Sequence, residues 1–428
     1  MNKTITVVDS IMGSGKTNAI IDMINNNPET NYIYITPYLD EIKRVADGTH
    51  HRLKRPWYHD GLTKQEDLHR LLALGKSIAT THALFLRANA ETIQLIHEGG
   101  YTLIMDEAVG TLREFNEVVE EMDGKQATED DIRLMLESGI ISVNAETLDV
   151  IWEGVTAEGS HYSEIERLAK NKTLKCVGDK FYWEYPPDVF RAFEKIYVLT
   201  YLFDSSMMAG YFTVNGFEYE KISVQKTEDG VFSFCEYVDS SVRKDDLIPL
   251  INIYEGQQNE LGNARSAFSI NWLKRQNGDG IKAIQNAMRS YKKRMKAKSS
   301  DILWTTTKQY DIYKKFEAVY GFKYTKKIVE KEMTEDEIKK ERCFLAFNAR
   351  ATNDFDKRCT LLYLINVYLQ PDIRNYYLRR GFSIDEDRHA LSEMVQWIWR
   401  SAIRKGYNIN LFIPSSRMRN LLKQWLEG

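Results

Sequence analysis

The sequence predicts an α/β protein built from two parallel-sheet lobes, with an insertion in the first lobe. The first hundred residues alternate short apolar strands with helical patterns, as parallel sheets do. The alternation stops near residue 110, resumes with an apolar strand at residues 196–200, and returns again after residue 300. We therefore expect a first lobe over residues 1–205, with an inserted subdomain at 110–190, and a second lobe over residues 206–428.

The composition places the chain among globular proteins of two or three domains, with 428 residues of which 43% are hydrophobic. The net charge of −3 provides no general basic surface, so any nucleic-acid-binding surface must be local. The four cysteines form no C-x-x-C pair, which favours a reducing, cytoplasmic location over a disulfide framework or a zinc site. Because the first strand starts close to Met1 and the apolar stretches are short, we expect neither a signal peptide nor a membrane partner.

The first predicted strand, residues 5–8, is followed by the loop SIMGSGKT at residues 10–17 and then by a helical pattern. A strand, a glycine turn and a helix start ending in Gly-Lys-Thr are typical of the phosphate-binding loop of nucleotide hydrolases. Small residues let several backbone N–H groups approach a phosphate, and the helix adds its own N–H groups and positive dipole end. The predicted phosphate-binding residues are Gly13, Ser14, Gly15, Lys16 and Thr17.

Two residues of this loop have specific predicted roles. Lys16 should reach the β- and γ-phosphates of the nucleotide, and the Thr17 hydroxyl should hold Mg²⁺. Ser10 stands at the position where glycine or alanine is usual. The predicted cofactors are therefore ATP and Mg²⁺.

A pair of carboxylates, Asp106 and Glu107, follows the apolar strand predicted at residues 102–105. Further strands of the same lobe are predicted at residues 32–35 and 77–79. A strand end with two carboxylates is the second half of a nucleotide site. We predict that Asp106 holds Mg²⁺ through water and that Glu107 orients or deprotonates the attacking water.

The stretches outside the α/β pattern have their own predicted structure. The insertion is acidic between residues 113 and 131, as a solvated face often is, and it offers a surface for a protein partner. An extra β and helical segment is expected at residues 206–298, within the second lobe. It should contain antiparallel strands at 211–214, 219–223 and 231–238, then a basic helical stretch at 289–298.

The helical pattern at residues 387–405 carries Gln396, Arg400 and Arg404. At a spacing of four residues these side chains share one face of a regular helix. An arginine is always charged and binds phosphate oxygens with paired hydrogen bonds, so it suits the stabilisation of transition-state charge. We predict that all three residues contribute to catalysis. The remaining predicted elements of the second lobe are strands at 302–305, 343–347, 361–363 and 410–413 and helices at 308–319 and 416–426.

The ordered set of motifs resembles superfamily 2 helicases and translocases, in particular the DEAD/DEAH-like helicases of phage and prophage genomes. The motifs are similar in order over nearly the whole chain: motif I at residues 10–17, Ia at 36–39, the Thr-His motif at 80–84, II at 106–109, IV at 303–307, V at 348–353 and VI at 396–404. This resemblance implies that both lobes are RecA-like and that ATP is hydrolysed between them.

The chain departs from the family pattern at three places. Residues 199–202 occupy the place of the Ser-Ala-Thr motif III but lack its second and third residues. Arg404 comes one residue later than the usual second arginine of motif VI, and both flanking glycines are missing. Only four residues precede the first strand, which leaves no room for the adenine-reading glutamine motif of DEAD-box RNA helicases in the narrow sense.

A nucleic-acid track needs hydroxyls, backbone N–H groups and a few cations near the carboxyl ends of the strands. The candidates are Thr36, Thr81, Thr306, Arg350 and Thr352. We expect single-stranded or forked DNA as the partner.

Three functions remain open from the sequence. The leading interpretation is an ATP-dependent helicase or translocase acting on DNA. The second is a phage terminase-like packaging ATPase, which shares motifs I and II but needs a nuclease lobe of clustered carboxylates. The third is a nucleic-acid-binding module that ATP switches between states without unwinding. An ATPase assay with and without single-stranded DNA distinguishes them.

Overall fold

The computed structural model of the chain describes residues 4–36, 39–50, 53–58, 61–82, 84, 88–108, 110–121, 127–155, 162–239, 244–320, 343–349 and 354–427. The chain divides into two compact units. The first comprises Met1–Ser10, Ser14–Tyr237 and Leu369–Asp385, and the second comprises Ile11–Gly13, Val238–Tyr368 and Glu386–Gly428. Within the described ranges, no helix combines the length and the apolar character needed to cross a membrane.

The strands of the described chain are β1 (Thr4–Asp9), β2 (Tyr32–Ile35), β3 (Ile78–Thr80), β4 (Thr102–Asp106), β5 (Leu112–Glu114), β6 (Ile141–Val143), β7 (Val150–Trp152), β8 (Leu174–Val177), β9 (Lys180–Glu184), β10 (Lys195–Thr200), β11 (Glu218–Lys226), β12 (Phe232–Glu236), β13 (Ile251–Ile253), β14 (Ile302–Thr305), β15 (Thr360–Tyr363) and β16 (Ile409–Phe412).

The α-helices are α1 (Lys16–Asn26), α2 (Leu39–Gly48), α3 (Lys64–Ala73), α4 (Ala90–Glu98), α5 (Phe115–Glu121), α6 (Glu129–Glu137), α7 (Ser163–Lys170), α8 (Pro187–Ala192), α9 (Met207–Val214), α10 (Lys244–Leu247), α11 (Ile270–Lys274), α12 (Gly278–Arg294), α13 (Ile312–Tyr320), α14 (Pro371–Arg379), α15 (Glu386–Ile398) and α16 (Ser416–Glu427). Short 3-10 helices occupy Phe203–Ser205, Ile248–Leu250, Gln257–Gly262, Ser299–Asp301, Gln309–Asp311 and Ala402–Lys405.

A seven-stranded sheet organises the first unit, in the order β12-β11-β1-β10-β4-β2-β3. Its neighbouring strands pair in parallel, and only β12 pairs antiparallel, with β11. Alternate side chains of the inner strands pack on opposite faces: Val8 and Ile104 lie in one core cluster, and Val7 and Leu103 lie in another. Burial on both faces explains why the sequence shows continuous apolar runs here. The predicted α/β class with parallel sheets is confirmed.

The segment between β4 and β10 carries two small sheets of its own. Strands β5, β9 and β8 form an antiparallel sheet in that order, and β6 and β7 form a separate antiparallel pair. Its core contains the fully buried Tyr182 and Trp183. The described residues between 110 and 190 therefore interrupt the parallel sheet without adding a strand to it.

Helix α14 comes from the second half of the chain but belongs to the first unit. The Tyr376 hydroxyl donates to the Glu184 carboxylate at 2.6 Å, and the Tyr377 hydroxyl lies 3.1 Å from the Thr111 hydroxyl. Glu184 is 1% exposed and also forms an ion pair with Lys175 at 3.1 Å. Since Lys175 offsets the buried negative charge, this cluster joins α14 to the insertion as one packed body.

The second unit contains a parallel sheet in the order β13-β16-β15-β14. Its core includes Trp304, Leu362 and Phe412, one from each of three neighbouring strands. The strands predicted at 302–305, 361–363 and 410–413 are confirmed to within a residue or two. The strand predicted at 343–347 is wrong, because this segment forms only an isolated bridge between Phe344 and Trp304.

The strand predicted at residues 211–214 is also wrong, because these residues end helix α9. The Ser206 hydroxyl accepts a hydrogen bond from the Ala209 N–H at 3.1 Å and so caps the helix start. Tyr211 and Phe212 are fully buried. A short apolar run that is buried on all sides has no periodicity that separates helix from strand.

Strands β11 and β12 extend the sheet of the first unit. β11 lies parallel to β1 because helix α9 carries the chain back across the sheet, and β12 returns antiparallel to β11. The first unit thus runs to Tyr237, beyond the predicted boundary at residue 205, and residues 206–237 do not belong to the second unit.

Candidate nucleotide-binding site

The loop between β1 and α1 has the backbone of a phosphate-binding turn. Gly13 has a φ of +76° and Gly15 a φ of +92°, in the left-handed region that favours glycine. Gly15 is required for a second reason, because a Cβ atom there would lie 2.1 Å from Cδ1 of Phe232. The Ser14 hydroxyl is buried and has no hydrogen-bond partner in the described part of the chain.

The contacts of Ser10 explain why a serine stands where glycine or alanine is usual. Its hydroxyl accepts a hydrogen bond from the Val224 N–H of β11 at 3.0 Å, and its N–H donates to the Thr200 carbonyl of β10 at 3.1 Å. The Lys16 ammonium donates to the Ser10 carbonyl. Ser10 therefore fixes the start of the loop between its two neighbouring strands.

Asp106 and Glu107 lie at the carboxyl end of β4. The Tyr34 hydroxyl donates to Oδ2 of Asp106 at 2.6 Å. Burial raises the pKa of the Asp106 carboxyl to about 6. Glu107 has a φ of +88°, which strains a residue with a side chain, and its N–H donates to the Leu199 carbonyl at 2.9 Å.

The strand register sets the distance between the loop and the carboxylates. Leu199 of β10 is paired with Val8 of β1 on one side and with Asp106 of β4 on the other. The end of β1 and the Asp106 backbone are thus two inter-strand spacings apart, roughly 10 Å. The loop and the carboxylate pair therefore lie on either side of β10 at the same edge of the sheet.

Residues 199–202, predicted to take the place of motif III, lie between these two halves of the site. The Asp9 carboxylate accepts hydrogen bonds from the N–H groups of Leu202 at 2.8 Å and Phe203 at 3.1 Å. Leu202 itself has a left-handed φ of +58°. Burial raises the pKa of Asp9 above its usual value. The sequence did not single out Asp9, and its place at the end of β1 was the only signal for it.

The hydroxyl candidates for nucleic-acid contact differ in exposure. Thr36 is fully buried after β2, whereas Thr81 is partly exposed after β3. In the second unit, the buried Thr306 hydroxyl donates to the Leu364 carbonyl at 2.9 Å. Arg350 and Thr352 lie outside the described residues.

His82 follows Thr81, and both nitrogens of its imidazole ring are buried although the residue as a whole is partly exposed. Burial, together with the positive charge of Arg113, lowers the pKa of His82 to about 4. The imidazole is therefore neutral at physiological pH.

The prediction that Gln396, Arg400 and Arg404 share one helical face is wrong. Helix α15 ends at Ile398, Arg400 lies buried in the turn that follows, and Arg404 is exposed in a 3-10 helix. The helix ends because the Ser401 hydroxyl donates to the Ile398 carbonyl at 2.6 Å. The next N–H, of Ala402, donates instead to the Arg358 carbonyl at 2.9 Å.

The donor set of the phosphate loop and of β4 fits a nucleotide phosphate with Mg²⁺. The two left-handed glycines open the loop for backbone N–H groups, and the buried Ser14 hydroxyl has no partner among the described residues. Asp106 is a partly exposed carboxylate, and because desolvation raises its pKa, a nearby positive charge would favour its ionised form. The fit rests on these features of the loop and of β4.

A close relative assigns the chain to a family. The chain is 37% identical over 439 residues to the SPbeta prophage-derived uncharacterized protein YonV of Bacillus subtilis strain 168, and the match covers 99% of both chains. The chain belongs to the YonV family. The model of the YonV C-terminal Rossmann-like domain matches residues 245–426, which contain the parallel sheet of the second unit.

Solved structures with a similar fold come from the XPD group. For this YonV family chain, S. tokodaii Xpd4 gives a TM-score of 0.51 at 12% identity, over 99% of this chain and 94% of that one. An apo XPD structure gives a TM-score of 0.50 at 11% identity, over 98% of this chain and 95% of that one. An XPD helicase structure gives a TM-score of 0.48 at 12% identity, over 98% of this chain and 94% of that one. At these identities, the likeness to the two structures with TM-scores of 0.50 and 0.51 shows the fold alone, which is helicase-like.

Proposed function

We propose that this YonV family protein hydrolyses ATP and uses the cycle to move along or unwind DNA. One observation carries the proposal: the phosphate loop and the Asp106–Glu107 pair flank β10 at the carboxyl edge of one parallel sheet. Ligands of open α/β sheets bind at that edge.

Each residue of the site has a proposed role. The N–H groups of residues 13–17 bind the phosphates, and the Lys16 ammonium exchanges the Ser10 carbonyl for phosphate oxygens. Glu107 orients the attacking water and accepts its proton. Thr17 and Asp106 would hold Mg²⁺, which would supply neutralisation of the phosphate charge.

The second unit is proposed to supply the groups that stabilise transition-state charge. Arg400 is the stronger candidate, since an arginine side chain binds phosphate oxygens with paired hydrogen bonds, and Gln396 and Arg404 are proposed to assist. Gln396 is already oriented by the Ser392 hydroxyl, to which its side-chain N–H donates at 3.0 Å.

The proposal of single-stranded or forked DNA as the partner is supported by the helicase-like fold and by Thr81 at the same sheet edge as the nucleotide site. Hydroxyls at strand ends suit contacts with a phosphate backbone. Burial makes the side chain of Thr36 a weaker candidate than that of Thr81.

A second candidate is a DNA-binding module that ATP switches between two states without unwinding. The observation that favours it is the segment at residues 199–202, which lacks Ser-Ala-Thr and is held by the Asp9 carboxylate instead. Such a protein would hydrolyse ATP slowly and would not separate strands.

Nucleotide binding and steady-state hydrolysis test the proposal with two variants. Lys16→Ala should lose both binding and hydrolysis, because it removes a positive charge from the phosphates. Glu107→Gln should bind ATP like the wild type and hydrolyse it at least about a hundredfold more slowly, since only the proton acceptor is lost. Hydrolysis by Glu107→Gln at the wild-type rate would show that the carboxylate pair has another role.

A further inference from the structure

The hairpin formed by β11 and β12 lies beside the phosphate loop, on the side of β1 that faces away from the carboxylates. The sheet order is β12-β11-β1-β10-β4, so β11 and β4 are on opposite sides of β1. Because Glu107 is proposed to activate the water that attacks the γ-phosphate, the γ-phosphate would lie on the β4 side of the loop. The nucleoside, at the other end of the triphosphate, then extends towards β11 and β12.

The tip of the hairpin is at the same sheet edge as the loop. β11 is parallel to β1, so its carboxyl end at Lys226 lies at the carboxyl edge of the sheet. The Thr227 N–H donates to the Val231 carbonyl at 2.8 Å, and the Gly230 N–H donates to the Thr227 carbonyl at 2.9 Å. These bonds close the turn, and β12 begins beside the loop with Phe232.

Phe232 lies directly against the phosphate loop. A Cβ atom on Gly15 would be 2.1 Å from the Phe232 ring, so the ring occupies the space that the missing side chain leaves. The ring packs against the core cluster that contains Ala19 and Ile20 of α1, yet it remains partly exposed. An exposed Lys226 ammonium lies 5.8 Å from the centre of the ring.

We propose that Phe232 is the stacking platform for the nucleobase of the bound nucleotide, with Lys226 beside it. The inference rests on the proposed function, since it needs a nucleotide in the phosphate loop. A flat apolar ring that is anchored on one side and open on the other is the surface on which a base stacks. Stacking accepts any base, so Phe232 strengthens binding without distinguishing ATP from GTP.

The experiment compares the affinity for ATP with the affinity for inorganic tripolyphosphate, which has the phosphates but no base. Phe232→Leu keeps an apolar group against α1 and removes the flat ring, whereas Phe232→Tyr keeps the ring. Phe234→Leu is the matched control, because Phe234 is on the same face of β12, two residues farther from the loop, where its ring stacks on Tyr197 at 6.2 Å.

We expect Phe232→Leu to weaken ATP and GTP binding roughly tenfold or more and to leave tripolyphosphate binding unchanged. Phe232→Tyr and Phe234→Leu should bind all three ligands like the wild type. Equal weakening of ATP and tripolyphosphate binding would show that the ring only supports the loop, and unchanged ATP binding would also overturn the proposal.

A measurement on the wild-type protein keeps the test independent of how the variants fold. Ribose 5-triphosphate lacks only the base, and we expect it to bind roughly tenfold more weakly than ATP. Equal affinities would overturn the stacking proposal while leaving the phosphate site intact. A wild-type protein that binds neither ATP nor tripolyphosphate would instead overturn the proposed function and this inference with it.

Discussion

The Asp9 carboxylate accepts hydrogen bonds from two backbone N–H groups that begin the segment after β10. The bond to the Phe203 N–H is buried, so this N–H group is left without an acceptor when the carboxylate is removed. We expect Asp9→Ala to lower the free energy of unfolding by about 2–4 kcal/mol. Asp9→Asn, which keeps one oxygen acceptor, should lose less. Chemical denaturation of both variants measures the difference, and equal losses would mean that the carboxylate acts only by filling space.

His82 gives the stability of the first unit a specific pH dependence. In the unfolded chain His82 binds a proton with the ordinary histidine pKa of 6.5, whereas in the folded chain its pKa is about 4. Between these values the unfolded state holds more protons, so stability is lost as the pH falls through this window. The lowered pKa corresponds to about 3 kcal/mol.

We therefore expect His82→Gln to flatten the loss of unfolding free energy between pH 6.5 and pH 4 relative to the wild type. His97→Gln is the control, because His97 is exposed near the end of α4. Denaturation curves at several pH values decide the matter. Parallel pH profiles for the wild type and His82→Gln would contradict the buried neutral imidazole.

The positions of the phosphate loop and of the carboxylate pair, at the ends of β1 and β4, were predictable from sequence because each group directly follows or ends its strand. Gly13, Gly15 and Lys16 follow one strand directly, and Asp106 ends another. Asp9 was not predictable in the same way, since its two partners lie 193 and 194 residues later and a single aspartate at a strand end has no pattern. Phe232 belongs to the same class, because only the sheet order brings it to Gly15.

At the scale of elements, the strand predictions worked where a strand is buried between parallel neighbours, as β1, β2 and β4 are. They failed for α9, where a cap at Ser206 and burial on all sides outweigh the strand preference of its aromatic residues. The end of α15 was missed because it depends on Ser401 and on the distant Arg358 carbonyl. Ser206, Ser401 and Arg358 set these helix ends through contacts that the local sequence pattern does not reveal.

Because α15 ends before Arg400 and Arg404, the expected ranking of their effects on hydrolysis rests on burial and not on their position along a helix. Arg400 is buried in the turn, and Arg404 is exposed after it. We expect Arg400→Ala to lower kcat more than Arg404→Ala, with nucleotide affinity less affected in both, because transition-state charge is the target. Arg400→Lys, together with unfolding curves, separates loss of the fork-shaped group from loss of packing. A larger kcat defect in Arg404→Ala would reverse the assignment.

At the scale of the whole molecule, helix α14 returns to the first unit and joins the insertion there. Tyr376 bonds to Glu184 and Tyr377 to Thr111. We expect Tyr376→Phe to lower the free energy of unfolding by about 1.5–3 kcal/mol, because it removes a hydrogen bond to a buried charge. Tyr377→Phe loses a bond between two neutral hydroxyls and should cost about 1 kcal/mol. Thermal or chemical unfolding measures the two losses of unfolding free energy. A larger loss for Tyr377→Phe than for Tyr376→Phe would show that the Glu184 cluster does not hold α14.

The proposal that this chain couples ATP hydrolysis to DNA is tested most directly by steady-state ATP hydrolysis with and without single-stranded DNA. Glu107→Gln is measured alongside, so that a contaminating ATPase is detected. We predict that DNA raises the wild-type rate at low salt and that the increase falls steeply as salt is added, because phosphate contacts release counterions. A wild-type rate that DNA and RNA leave unchanged at low salt, or a Glu107→Gln rate equal to it, would contradict the account.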